Sequence, residues 1–92
     1  MRPAVSVVAT VLDERDAVDR LVEGITAQLR EQDELVVVDG DSRDGTYERL
    51  LEHARRDSRV RVLSAPASNI AAGRNVAVRA ARHELIACTD AG

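Results

Sequence analysis

Carboxylates occupy the positions where this chain could do chemistry. Asp13-Glu14, Asp39-Gly40-Asp41 and Asp90-Ala91-Gly92 each follow an apolar run, with Asp44 close behind the second group. Like charges gathered a few ångströms apart raise one another's pKa unless a cation or hydrogen-bond donors share the space. Convergence of these groups would therefore imply a metal ion or a ligand rich in hydroxyl and N–H donors. Several other chemistries are excluded by composition. The chain has no Lys, and all thirteen of its Lys and Arg positions are Arg, which removes a Walker-type phosphate loop, Schiff-base catalysis and Lys-dependent phosphotransfer. His53 and His83 show no paired ligand spacing and read as surface residues. Cys88, alone inside an apolar run, reads as a small buried core residue that forms no internal disulfide and fits a reducing compartment.

These side chains must be positioned by a small fold. Ninety-two residues with a formal charge of −3 and 45% apolar content make one domain, 1–92. A domain of that size buries roughly 60–65% of the surface its unfolded chain exposes. Phe and Trp are absent and Tyr47 is the one aromatic residue, so Val, Leu, Ile and Ala must build the core and aromatic stacking is nearly excluded as a recognition device. Mild acidity and scattered Arg argue against a nucleic-acid groove. Arg2 and the apolar stretch to Leu12 could pass for a short signal peptide, but Asp13, Glu14, Arg15 and Asp16 follow at once. No apolar run approaches the roughly 20 residues of a membrane span, and the expected setting is soluble and cytoplasmic.

Four short apolar runs, Ala4–Ala9, Leu35–Val38, Val60–Leu63 and Leu85–Cys88, read as buried parallel strands. Between the first two, Val18, Leu21, Val22, Ile25 and Leu29 form one face of a helix over Asp16–Arg30. Tyr47, Leu50, Leu51 and Ala54 repeat the pattern in a second helix ending near Arg56, with Asp44 as its N-cap. A third helix is expected over Ala72–Ala81, with Val76 and Ala80 inward. The βαβαβαβ order implies a Rossmann-like parallel α/β sheet with right-handed crossovers. A longer third connection that returns beside the first strand gives strand order 3-2-1-4, the first two helices on one face and the third on the other. Ligands of open α/β sheets bind outside the carboxyl ends of the strands at such a switch point, which is where the carboxylates stand.

The string Val36–Thr46 fits an EF-hand loop poorly: counting from Asp39, Arg43 takes a ligand position, Asp44 stands where the turn Gly is needed, and Leu50 replaces the bidentate Glu. A haloacid-dehalogenase-like phosphatase would use Asp39 as nucleophile and Asp41 as acid/base. Against it, that strand is normally the first of its domain, Arg43 stands where Thr is preferred, and the Lys which that family also uses is absent.

A third reading joins this string to others. Val5–Glu14 is similar to the opening strand of family 2 glycosyltransferases, which usually ends Pro-Thr-Tyr-Asn-Glu; Glu14 matches and Asp13 is close to Asn. Asp39-Gly40-Asp41-Ser42-Arg43-Asp44-Gly45-Thr46 resembles the family's Asp-Asp-Gly-Ser-Thr-Asp-Gly-Thr. Asn69 through Asn75, with Gly73-Arg74-Asn75, resembles its Asn…Ala-Arg-Asn segment, and Asp90-Ala91-Gly92 sits where its D-x-D falls. The chain thus resembles the amino-terminal, nucleotide-sugar-binding half of a GT-A domain over essentially its whole length.

That resemblance implies an inverting glycosyltransferase whose donor is a uridine or guanosine diphosphate sugar. Asp39 would accept the ring N–H of the base. Glu14 and the backbone of Thr10, Val11 and Leu12 would line the base and ribose pocket, with Asp41 beside them. Arg74 would face the base or the diphosphate, and Asp90 would lie near the ribose and a Mg²⁺ or Mn²⁺ ion. Carboxylates select N–H and O–H donors, whereas Arg suits carbonyl and phosphate oxygens. Leu12 replaces a Tyr that often stacks on the base, and Gly92 replaces the last Asp of D-x-D, so a second metal carboxylate is missing there. The general base and the acceptor pocket are expected outside these residues, in a longer parent enzyme truncated here at the D-x-D position. Alone, the chain is expected to transfer no sugar. A non-catalytic nucleotide-binding or interaction module on the same half-fold is the alternative, and an uncovered fourth strand would invite self-association.

Overall fold

The computed structural model describes residues 3–65 and 70–90. Its elements are β1 (Val5–Val11), α1 (Arg15–Thr26), β2 (Glu34–Asp39), α2 (Thr46–Arg56), β3 (Val60–Ser64), α3 (Ile70–Ala80) and β4 (Leu85–Asp90). All strand pairs are parallel, in the order β3-β2-β1-β4. This is the 3-2-1-4 arrangement the alternating pattern predicts.

The register explains the two cores. Val7, Val11, Leu35, Val37, Val60 and Val62 share one face and pack with Val18 and Val22 of α1 and Leu50 of α2. Val8, Val36 and Val38 share the other face and pack with Ala77 of α3. Both faces of β2 are therefore covered and all six of its residues are buried, so its sequence is an unbroken apolar run where a half-exposed strand would alternate.

The sheet is anchored at the amino ends of its strands by two buried carboxylates. Glu34 Oε2 accepts the Ser6 hydroxyl and the Arg82 N–H, each at 2.6 Å, while Oε1 accepts Arg61 Nη1 at 3.2 Å. Arg61 Nη1 also donates to the Ala80 carbonyl at 2.7 Å, fixing the end of α3. Asp33 accepts the Val5 N–H at 2.9 Å and the Arg30 N–H at 2.9 Å. Outside the sheet, Asp19 of α1 pairs with Arg49 and His53 of α2 at 2.5 and 2.7 Å.

Several local expectations are corrected. β1 runs two residues past Ala9, and α1 ends at Thr26, although Leu29 still packs on the core. Cys88 is exposed: α3 packs over β1 and β2, and on the edge strand Ile86 reaches that core while Cys88 does not. Ala77 of α3 is buried and Ala80 packs beside it as expected, while Val76, expected inward, is 37% exposed. The His53 side chain is mostly buried against Asp19, so it is not a surface residue. Gly45, with φ 96°, takes the N-cap position of α2 that Asp44 was expected to hold. A Cβ at Gly45 would meet the Arg15 side chain at 3.1 Å as well as straining the backbone.

Candidate functional site

The carboxyl ends of β2, β1 and β4 lie side by side. Val11 is in register with Asp39, and Thr10 with Asp90. At a strand spacing of about 4.8 Å, the backbones of Asp39 and Asp90 flank the end of β1 roughly 10 Å apart. The helices begin at the same edge: α1 and α2 follow β1 and β2 directly, and a Cβ on Gly73 in the first turns of α3 would lie 3.4 Å from the Thr10 methyl. Three helix N-termini thus bring their partial positive charge to an edge rich in carboxylates.

Two loops form the floor between these elements, and they are stitched together. Ser42 Oγ accepts the Asp13 N–H at 2.8 Å, and Asp13 Oδ1 accepts the Arg43 N–H at 2.8 Å. The Thr46 hydroxyl oxygen accepts the Glu14 N–H at 2.9 Å, and Asp44 Oδ2 accepts the Arg15 N–H at 3.1 Å. Gly40 N–H reaches the Val11 carbonyl at 2.8 Å. Asp13 and Asp41 adopt left-handed backbone, with φ of 50° and 68°, which Asp tolerates better than most residues. The Thr46 hydroxyl, then burial against it, then the Arg15 and Thr46 N–H groups act on Asp44, and the hydrogen bonds hold its carboxyl below the usual range.

The structure brings Thr10, Val11, Leu12, Glu14, Asp39 and Asp41 to this edge, with Arg74 on the first turns of α3 and the backbone of Asp90 at the end of β4. Their accessibilities differ. Leu12 is 48% exposed, as an apolar wall for a ligand requires, whereas the Val11 side chain belongs to the core and offers the site backbone alone. Asp41 is exposed. Asp39 stands at this edge but is 1% exposed and ties its own turn. Its Oδ1 accepts the Ser42 hydroxyl at 2.6 Å and its Oδ2 accepts the Ser42 N–H at 2.9 Å. Ser42 and Thr46 stand outside the residues that the sequence singles out for the site, and the Asp-x-x-Ser spacing at 39–42 is the signal for Ser42.

Among the described residues no three His, Cys, Asp or Glu side chains are grouped to hold a metal ion. The Asp90 side chain, Ala91 and Gly92, and Asn69 in the other motif, lie outside the described residues. No helix among the described residues is long and apolar enough to cross a membrane. A groove of about 530 Å³ lies elsewhere, along α1 beside the bare face of β4, lined by Val5, Val7, Leu21, Ile25 and Thr89 among others.

Residues 6–91 match the sequence model of glycosyl transferase family 2. The glycosyltransferase EpsH of Bacillus subtilis (strain 168) is 30% identical over 88 residues, which are 96% of this chain and 26% of EpsH. A mannosyltransferase of Pyrobaculum calidifontis, solved with GDP-Man and Mn²⁺, superimposes with a TM-score of 0.85 at 28% identity, over 98% of this chain and 28% of that one. TarS of S. aureus, solved in one case with UDP, superimposes with a TM-score of 0.82 at 23% identity, over 96% of this chain and 27% of that one. The fold is that of GT-A glycosyltransferases. The chain spans about a quarter of the length of these relatives. The family match displaces the phosphatase reading of Asp39 and Asp41.

Proposed function

We propose, for a chain that belongs to glycosyltransferase family 2, that the crevice at the carboxyl ends of β1, β2 and β4 holds the nucleotide of a UDP- or GDP-sugar in an inverting glycosyl transfer. The observation that carries this reading is the interlocked pair of loops, Asp13–Glu14 and Gly40–Thr46, beside the switch point between β1 and β4. The relatives solved with GDP-Man and with UDP support the ligand class.

Asp39 retains acceptor sites beyond the two that Ser42 fills, since an ionised carboxylate offers about four. One of these takes the ring N–H that uracil and guanine present. Leu12 packs on the base, and Glu14 with the Thr10–Leu12 backbone holds the ribose side, next to Asp41. Arg74 and the helix N-termini face the diphosphate, whose charge they complement. A divalent ion such as Mg²⁺ or Mn²⁺ would offset further phosphate charge. Of Asp90, Ala91 and Gly92, Asp90 alone can supply it a carboxylate. The acceptor pocket and the general base belong to the part of the fold that the relatives have and these residues do not span. We further propose a cytoplasmic setting and self-association through the outer edge of β4, where Leu85 and Cys88 are exposed.

A thermal-shift panel of nucleoside diphosphates, with and without Mn²⁺, tests the reading. A ligand at a hundred times its Kd stabilises the folded state by about 2.7 kcal/mol, which in a domain of this size raises Tm by on the order of 10–20 °C. UDP or GDP should do so and ADP should not. Equal responses to all nucleotides, or none, contradict it.

A further inference from the structure

Ser42 makes three hydrogen bonds, two of which give its hydroxyl a single orientation. The Asp13 N–H can only donate, so at 2.8 Å it must use a lone pair of Ser42 Oγ. An ionised Asp39 carboxylate can only accept, so the contact between Ser42 Oγ and Asp39 Oδ1 at 2.6 Å must carry the Ser42 hydroxyl proton toward Asp39. The Ser42 N–H then takes the other oxygen, Oδ2, at 2.9 Å. Both oxygens of the carboxylate are thereby pinned by one residue, and the same residue holds the backbone of Asp13 after β1.

We infer that Ser42 is a positioning residue for nucleotide recognition: its hydroxyl fixes the Asp39 carboxylate for the base and couples it to the loop that lines the ribose. The inference rests on the proposed role of Asp39 in binding the nucleotide. Because Asp39 is 1% exposed, a few tenths of an ångström in the 40–42 turn decide which of its remaining acceptor sites face the crevice. Without the hydroxyl, Asp39 Oδ1 loses a charge-assisted partner and the Asp13 N–H loses its acceptor, so the one link between the two loops that runs through the Asp39 carboxylate is broken while the others hold. Thr carries a hydroxyl in the same place and restores both contacts.

The test is a calorimetric titration of UDP and GDP into the 92-residue wild type, Ser42→Ala, Ser42→Thr, Asp39→Asn and the double variant Asp39→Asn/Ser42→Ala, each well below its own Tm. Ser42→Ala should weaken binding roughly tenfold, in line with the loss of one hydrogen bond to a charged group. Ser42→Thr should bind within about threefold of wild type, and on the Asp39→Asn background the Ser42→Ala change should add little further loss. If Asp39→Asn weakens binding while Ser42→Ala does not, or if Ser42→Ala costs the same on both backgrounds, the coupling is refuted and the role of Asp39 stands. If wild type binds but neither single variant differs from it, or if wild type binds no nucleotide, the role of Asp39 fails and the inference with it.

Discussion

Asp44 Oδ2 accepts the backbone N–H of Arg15 at 3.1 Å, so a residue of the loop before α2 closes the first turn of α1. Its Oδ1 accepts the Thr46 N–H at 3.1 Å, and one carboxylate thus takes the first N–H of both α1 and α2. Donors at helix N-termini are otherwise left to water or to a ligand. Asp44→Ala should lower Tm by several degrees and also weaken nucleotide binding, because both loops of the site lean on it. A variant that melts earlier but binds as wild type would confine Asp44 to a structural role.

Acid should loosen the protein from its carboxylates outward. The Arg49 side chain, then His53, holds the Asp19 carboxyl below its ordinary value of 3.8, and Arg59 does the same for Asp57. Burial pushes the Glu34 carboxyl up from 4.5, but the Arg82 N–H, the Ser6 hydroxyl and Arg61 outweigh it and leave the net shift downward. A carboxyl lowered by folding stabilises the fold fully above its unfolded value and loses that contribution as pH falls through the folded one. Tm should therefore hold above about pH 5 and fall steadily below about 4.5. Glu34→Gln, which sets an N–H₂ among three donors, should cost about 1–3 kcal/mol at neutral pH. The gap to wild type should close in acid; an equal gap at pH 7 and pH 3 would show that the charge is irrelevant.

Asp39→Asn now carries a double expectation. The side chain is buried and holds Ser42, so the variant should melt lower than wild type, where a solvated crevice carboxylate would have left Tm unchanged. It should also lose roughly tenfold to a hundredfold in affinity for UDP or GDP, since hydrogen bonds to charged groups contribute about 1.5–3 kcal/mol. Binding equal to wild type in calorimetry, measured where both are folded, would take Asp39 out of the site.

The 92-residue chain should bind nucleotide without transferring sugar. Orientation of the acceptor and removal of its proton account for many kcal/mol of enzymatic rate enhancement, and no residue described here is assigned to either task. Release of free nucleoside diphosphate from a UDP- or GDP-sugar in the presence of a candidate acceptor is the assay. Robust transfer by the chain alone would direct attention to Asp41, Asp44 and Asp90 as bases.

Much of this was written in the sequence because strand burial and helix amphipathy are one-dimensional signals. Leu35–Val38 announces a doubly covered central strand, and Val18, Leu21, Val22, Ile25 and Leu29 announce α1. That the strand-end carboxylates come to one edge was legible for the same reason, since register in a parallel sheet brings successive strand ends together. Side-chain hydrogen bonding across 28 to 32 residues carries no such signal. Hence nothing in the sequence marks Glu34 as the buried anchor of β1, β3 and the turn after α3, whereas the contact between Asp39 and Ser42 is local and legible in the Asp-x-x-Ser spacing. Cys88 misled differently: an apolar run predicts burial when both faces of its strand are covered, and β4 is an edge with α3 displaced toward β2.

The proposed role of the crevice requires that a nucleotide touch the carboxyl ends of β1, β2 and β4. Amide resonances of the ¹⁵N-labelled chain, followed through a titration with UDP and with GDP, report this residue by residue. One of the two nucleotides should shift residues 10–14, 39–46 and 73–75 along a single binding curve while Ser6, Glu34, Arg61 and Arg82 at the opposite end of the sheet stay fixed. Shifts confined to that opposite end or to the α1 groove around Leu21 and Ile25, or no shifts with either nucleotide, would contradict it.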